Sequence, residues 1–171
     1  MLTNIQTEYL QRFGRQARPC GAAGDCQYRA LSFAFYGTPN RHSEVRASVT
    51  KVLKENSTQF REYMLAECIE NPCIEPSMDY NRFVSSTSRL GTWGGITTLL
   101  AAATAFQITL RVVRVPTQKE GGVPYHTYVH PLDLTSGSVP NVYPLLNTWL
   151  VHVDGNHFLA AVPIFRGGPF H

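Results

Sequence analysis

Hydrophobic positions fall at helical spacings in the earlier part of the chain and switch to alternation towards its end. Ile5, Tyr9, Leu10 and Phe13 share one side of a short amphipathic helix over Ile5–Phe13, which Gly14 ends. Ala30, Leu31, Phe33, Ala34 and Phe35 predict a helix from Cys26 to Tyr36, with Gly37 as its left-handed cap and Pro39 as the stop. Ser43 reads as the N-cap of a third helix, half matched because Arg46 stands where a capping box wants Glu. That helix runs to about Asn56 with Val45, Val49, Val52 and Leu53 inward, and a short one follows over Ser57–Met64 with Phe60, Tyr63 and Met64 inward. Asp79 can cap a helix reaching Arg89 through Tyr80, Phe83 and Val84. The Ile96–Phe106 run is apolar nearly all round, as a helix buried between other elements would be.

From Gln107 to Val115 the pattern becomes β-branched alternation, with Ile108, Leu110 and Val112 on one face of a strand; Tyr125–His130 can be a second. Trp149–Val153 and His157–Val162 flank Asp154-Gly155-Asn156 and read as a hairpin. Arg15–Ala23 reads as a connecting segment and Ala66–Met78 as an irregular, exposed one. Pro116–Pro124 reads as a hairpin tip or disordered connection, Pro131–Pro144 as loop, and Phe165–His171 as a frayed tail. Helices first and strands last predict an α+β class, with N-terminal helices packed on a small, mostly antiparallel sheet. The expected organisation is a single domain over residues 1–171 with its core at about 18–163.

Composition narrows the function classes. With 171 residues and 43% hydrophobic content, the chain can bury a substantial core. Its net charge of +3 comes without a basic run, which gives nucleic-acid binding little support. No stretch approaches the ~18 consecutive apolar residues of a membrane span, and Gln6, Glu8, Gln11 and Arg12 do not suit a signal peptide. A chain of this size needs no disulfide staples, so Cys20, Cys26, Cys68 and Cys73 are expected to be reduced in a cytoplasmic setting. Cys68 and Cys73 have no second pair to complete a zinc site, so neither metal nor cofactor is expected.

Only Cys26 has a context that argues chemistry. The small-residue loop Gly21-Ala22-Ala23-Gly24-Asp25 delivers it to a helix start, where free N–H groups and the positive end of the helix dipole favour a thiolate. The expectation is a thiol pKa below the ordinary ~8.5. Loop amides could also approach a substrate oxygen closely. A cysteine on a helix face is otherwise most often an inert core residue. A thiol nucleophile needs a base, usually distant in sequence. Of the six histidines, His157 stands at the first strand position after a tight turn and is followed by an aromatic; His42, His126, His130, His152 and His171 have less suggestive settings.

At this point four blocks, in order, carry a resemblance. Gly24-Asp25-Cys26-Gln27-Tyr28-Arg29-Ala30-Leu31-Ser32 resembles the nucleophile signature of the ovarian-tumour (OTU) cysteine proteases. His42-Ser43-Glu44-Val45-Arg46 is similar to the family's next segment, Gly91-Thr92-Trp93-Gly94-Gly95 to its central motif, and Gly155-Asn156-His157-Phe158 to its histidine motif. Three positions depart from the usual pattern. Ala23 stands where the family usually has Asp, Leu159 where many members have an Asp or Asn that orients the histidine, and Ile96-Thr97-Thr98 where Glu often follows the glycines.

The resemblance implies a papain-like OTU fold and a thiol-dependent deubiquitinase acting on the isopeptide bond after a modifier's C-terminal di-glycine. Cys26 would attack the scissile carbonyl, with His157 as general base and then acid and Asp25 grouped with the catalytic residues. Amides around Ala23–Cys26 would hold the oxyanion. Trp93, Gly94, Gly95, Asn156 and Phe158 would contact substrate, the glycines leaving room for the di-glycine tail. The ring-orienting third member would be Asn147, Asp154, an N-terminal polar residue, a water or a backbone carbonyl, or would be absent. Expected partners are ubiquitin, polyubiquitin or a ubiquitin-like modifier, with no nucleic acid, no membrane and a monomeric chain. The alternatives are a catalytically weak ubiquitin-binding module and a viral or transposon polyprotein endopeptidase.

Overall fold

The computed structural model describes residues 2, 4–21, 23–70, 78–115, 123–136, 138, 148–153 and 157–164. In chain order the elements are α1 (Asn4–Arg12), β1 (Arg15–Arg18), α2 (Cys26–Tyr36), α3 (His42–Glu55), α4 (Ser57–Glu70), α5 (Tyr80–Thr87), α6 (Ile96–Phe106), β2 (Leu110–Val115), β3 (Tyr125–Val129), β4 (Thr148–Val153) and β5 (His157–Pro163). The class is α+β, as the order of patterns predicts. One sheet runs β1-β5-β4-β2-β3. Its pairings are antiparallel except β2 with β4, which run parallel with Leu110 opposite Thr148.

Alternation along the central strands builds two apolar layers, because successive side chains leave a strand on opposite faces. Leu110 and Val112 of β2, Leu150 of β4 and Phe158 of β5 join the helical side, with Tyr28, Leu31, Val49, Leu53, Phe60 and Leu99. Val113, Val115, Trp149, Val151, Val153, Leu159 and Ala161 face the other way and are covered by Leu10 of α1. A central strand buried on both faces reads as a nearly continuous apolar run, which is why β4 and β5 stand out in the sequence.

Several boundaries differ from the sequence expectations, each for an identifiable reason. Arg15–Arg18 is an edge strand paired with β5, not a mere connection; its Arg-Gln-Ala-Arg sequence has no alternation, and backbone pairing alone defines it. The third helix begins at His42, so Ser43 lies inside it; a 3-10 turn over Pro39–Arg41 leads in, capped by Thr38. Helix α4 continues to Glu70, past the expected end at Met64. Helix α5 stops at Thr87 rather than Arg89, though Asp79 caps it as expected, accepting from the Arg82 N–H at 3.0 Å. In α1 only Leu10 is fully buried, while Ile5 and Phe13 are exposed. Helix α2 matches its expected span, and Gly37 closes it in the left-handed conformation at φ 70°. The Pro116–Pro124 tip, the Asp154-Gly155-Asn156 turn and the tail fall largely or wholly outside the described residues. Among the described residues no helix is long and apolar enough to cross a membrane.

Candidate functional site

Cys26 is the first residue of α2 and only 1% exposed. The loop before it is tightly constrained. Ala23 takes a left-handed conformation at φ 71°, which costs an L-residue roughly 1–2 kcal/mol. Its carbonyl accepts the Cys26 N–H at 3.1 Å. Gly24 lies directly against the Gly91–Thr92 backbone: a Cβ there would come within 1.7 Å of the Gly91 carbonyl oxygen. Asp25 is the N-cap residue, but its side chain does not cap the helix. Its Oδ1 instead accepts from Arg46 Nη2 at 2.6 Å and from the Gly91 N–H at 3.0 Å. Burial opposes ionising this carboxyl, yet the Gly91 N–H and the bond and charge of Arg46 outweigh it, leaving Asp25 below its ordinary value. The Asp25 carboxylate, expected among the catalytic groups, is thus engaged in holding the loop.

Arg46 is the hub of that arrangement. It rises from α3 with its side chain 2% exposed. Its terminal nitrogens donate to Thr87 O (2.7 Å), Gly24 O (3.3 Å), Asp25 Oδ1 (2.6 Å) and Thr92 O (2.9 Å). The guanidinium also stacks over the Tyr28 ring at 3.7 Å. One planar fork thereby ties the Cys26 loop, the end of α5 and the approach to Trp93 together, which a lysine's point charge could not do.

The candidate base lies on the sheet. His157 opens β5, opposite Val153 of β4, and is partly exposed. Phe158 beside it is buried on the α2 side, and its ring stacks on His152 at 4.3 Å. Burial pushes the Cys26 thiol pKa up; the backbone N–H groups of Phe158, Gln27 and Cys26 itself pull it back, and the Asp25 carboxylate adds to the rise. The net direction is upward. This corrects the expectation of a lowered thiol pKa, because desolvation of a 1%-exposed sulfur outweighs the helix-terminal amides. Helix α2 packs on β5, and Cys26 and Phe158 belong to the same apolar cluster.

The central motif is arranged differently from expectation. Trp93 is 54% exposed. The space beside Gly94 and Gly95 is already filled by protein: a Cβ on Gly94 would meet Gln27 Oε1 at 2.1 Å, and one on Gly95 would meet Glu67 Oε1 at 1.5 Å. On the side where a Cβ would stand, the missing side chains admit Gln27 and Glu67. Gln27, fully buried, donates to Gly95 O at 3.0 Å. Glu67 accepts the Thr97 N–H at 2.8 Å.

The other histidines within the described residues have their own settings. His42 opens α3, His126 packs among Tyr9, Phe13 and Trp149, and His130 Nδ1 lies 3.1 Å from Thr109 Oγ1. Asn147, Asp154, Asn156, Cys73 and His171 lie outside the described residues. Leu159, at the position expected to orient the histidine, is buried in the second apolar layer. Cys20 and Cys68 are free thiols, and no group of three or more His, Cys, Asp or Glu among the described residues could hold a metal ion.

Sequence reasoning missed Arg46, Gln27 and Glu67 as parts of the site. A signal was present for two of them: Arg46 shares an apolar helical stripe with Val49 and Leu53, and Gln27 with Ala30 and Leu31, whereas Glu67 falls beyond the expected helix end at Met64.

Comparison with known proteins identifies the fold and the family. The first described relative, OVARIAN TUMOR DOMAIN-containing deubiquitinating enzyme 10 of Arabidopsis thaliana, is 33% identical over 90 residues, covering 53% of this chain and 22% of its own. Deubiquitinating enzyme 12 of the same plant is 36% identical over 83 residues, covering 48% and 32%. The chain thus matches well under half the length of these relatives. Among solved structures, the OTUD1 OTU domain superposes with a TM-score of 0.71 at 22% identity, covering 92% of both chains. An OTU deubiquitinase from Wolbachia pipientis wMel, solved bound to ubiquitin, gives 0.64 at 12% identity, covering 89% of this chain and 98% of that one. Residues 21–147 match the family described as OTU-like cysteine protease. The chain belongs to the OTU-like cysteine protease family.

Proposed function

We propose that this chain is a cysteine-type deubiquitinase that hydrolyses the isopeptide bond after the C-terminal di-glycine of ubiquitin or a ubiquitin-like modifier. The observation that supports the reading is that Cys26 opens α2, His157 opens β5, and Cys26 shares one apolar cluster with Phe158, the residue after His157. Relatives named as deubiquitinating enzymes and OTU structures solved with ubiquitin support the choice of substrate.

In this reading His157 takes the thiol proton as Cys26 attacks the carbonyl, and returns it to the departing lysine amine. A thiol with a raised pKa makes that proton transfer part of the attack rather than a completed step in the resting enzyme. The oxyanion is held by loop amides: no hydrogen bond among the described residues uses the Gly24 or Asp25 N–H, whereas the Cys26 N–H already donates to Ala23 O. Asp25 serves by seating the loop on Arg46 and Gly91. Trp93, Asn156 and Phe158 remain assigned to the substrate side, together with the backbone of Gly94 and Gly95. A Cys26–His157 dyad suffices for this chemistry, since a thiol needs less help from an orienting acid than a hydroxyl does, and Asn147 or Asp154 would add an orienting partner. Residues 1–171 are read as one monomeric catalytic domain working in the cytoplasm.

The test is release of fluorophore from a ubiquitin C-terminal amide, run beside labelling by ubiquitin-propargylamide. Wild type should turn over and label; Cys26→Ala should do neither while keeping its fold, and His157→Ala should lose turnover. Undiminished turnover by Cys26→Ala ends the proposal.

A further inference from the structure

Helix α6 starts at Gly95 without a side-chain cap of its own. Its first N–H groups would be left unpaired in the interior, a cost of about 1–3 kcal/mol for each buried donor. Glu67, from α4 and 6% exposed, fills that role by accepting the Thr97 N–H at 2.8 Å. Its negative charge also sits at the positive end of the α6 dipole. On the other side, Gln27 bonds in both directions: Nε2 donates to Gly95 O at 3.0 Å, and Oε1 accepts from Thr98 Oγ1 at 2.7 Å. The Gly95 carbonyl also receives the Leu99 N–H at 3.1 Å. Gln27 directly follows Cys26, so one residue belongs both to the start of the nucleophile helix and to the glycine segment.

We propose that Gln27 and Glu67 are positioning residues that fix the Gly94–Gly95 backbone, along which an extended, small-residue substrate tail would lie. The inference rests on the deubiquitinase reading for the nature of the tail, but not for the positioning itself. Gly95 has an extended backbone at φ −124°, which any residue adopts, so nothing in its conformation demands glycine. What excludes a side chain is the Glu67 carboxylate, whose Oε1 occupies the place of the missing Cβ. Gly94 stands in the same relation to Gln27 Oε1. The glycines and the two polar side chains therefore form matched pairs, and a change in one should be felt through the other.

The experiment is a double-mutant cycle on Gly95→Ala and Glu67→Ala, with Glu67→Gln as the conservative variant. Each protein is measured for urea stability, for hydrogen exchange of the amides from Gly95 to Thr98, and for kcat and KM on the ubiquitin C-terminal amide. In the wild-type background Gly95→Ala should lose stability and turnover; in the Glu67→Ala background the same change should cost much less of each. Glu67→Ala should speed exchange at Thr97 and raise KM roughly tenfold, the size of a lost hydrogen bond to a charged group. Its kcat should change far less, and Glu67→Gln, whose amide oxygen still accepts, should recover most of the KM. Gly95→Ala costing the same in both backgrounds, or unchanged exchange at Thr97 in Glu67→Ala, would overturn the positioning. A loss confined to kcat would overturn the link to substrate. If wild type fails to turn over the ubiquitin amide, the deubiquitinase reading falls, while exchange and the stability cycle still decide the positioning.

Discussion

Asp25 and Arg46 meet at 2.6 Å with the arginine side chain 2% exposed, joining the residue before Cys26 to the second turn of α3. Removing one partner from a buried pair leaves the other charge desolvated and unmatched, which costs about 3–5 kcal/mol. Arg46→Met should therefore lower urea stability by that order. Arg46→Lys should recover little, because one ammonium cannot reach Thr87 O, Gly24 O, Asp25 Oδ1 and Thr92 O together. A loss below about 1 kcal/mol in Arg46→Met, the range of an exposed pair, would show that the pair is not buried in solution.

The same pair predicts acid sensitivity. Asp25 titrates below its ordinary value in the folded protein, so it binds protons more weakly there than in the unfolded chain. Its contribution is fully present above the unfolded carboxylate value near ~3.9 and is lost as pH falls through the depressed folded value. The stability advantage of wild type over Asp25→Asn should thus be flat at neutral pH and shrink only in that acid range. A gap that closes near neutrality would assign the effect to another group.

For Cys26, the upward direction of the thiol pKa predicts a sulfur that is protonated at neutral pH in the free protein. The difference in ultraviolet thiolate absorbance between wild type and Cys26→Ala should develop above the ordinary cysteine value of ~8.5. A thiolate signal already complete at neutral pH would mean that an ion pair exists before substrate binds.

Gly24 has almost no freedom to change. A Cβ would lie 1.7 Å from a backbone oxygen, so the Cys26 loop or the Gly91–Thr92 segment must move aside. Gly24→Ala should destabilise by about 1–3 kcal/mol, as overpacking does, and should reduce turnover more than expected from stability, because the displaced loop carries the proposed oxyanion donors. Turnover equal to wild type would place the oxyanion site elsewhere.

Restoring the family's usual orienting residue should not improve this protein. Leu159 is 7% exposed among Val151, Val153 and Ala161. Leu159→Asn would bury an amide without a partner and should cost about 1–3 kcal/mol, with no gain in kcat. A faster enzyme would show that the Asn side chain reaches His157 and that a third member was missing.

Much of the fold was legible because it depends on near neighbours in the chain. The α2 span, its Gly37 cap, the α6 run and the β4–β5 pair follow from periodicity and local turn chemistry. Strand β1 was not legible, since it exists by pairing with β5, more than a hundred residues away, and its own residues carry no apolar pattern. The extension of α4 to Glu70 was hidden similarly: its apolar residues lie on more than one side, with Leu65 and Ile69 exposed and Phe60 and Met64 buried, so no single stripe marks its end.

By itself the sequence pointed to the family, to Cys26 at a helix start and to His157 at a strand start, because each motif is a local arrangement of a few adjacent residues. Tertiary structure alone decided how those motifs are held. Burial set the direction of the Cys26 thiol against the helix dipole, and Arg46, Gln27 and Glu67 found their acceptors and donors 21 to 71 residues away. A polar side chain on an apolar stripe announces that it must be satisfied in the interior. Which partner satisfies it is fixed only when the chain folds and desolvation makes every unpaired group costly.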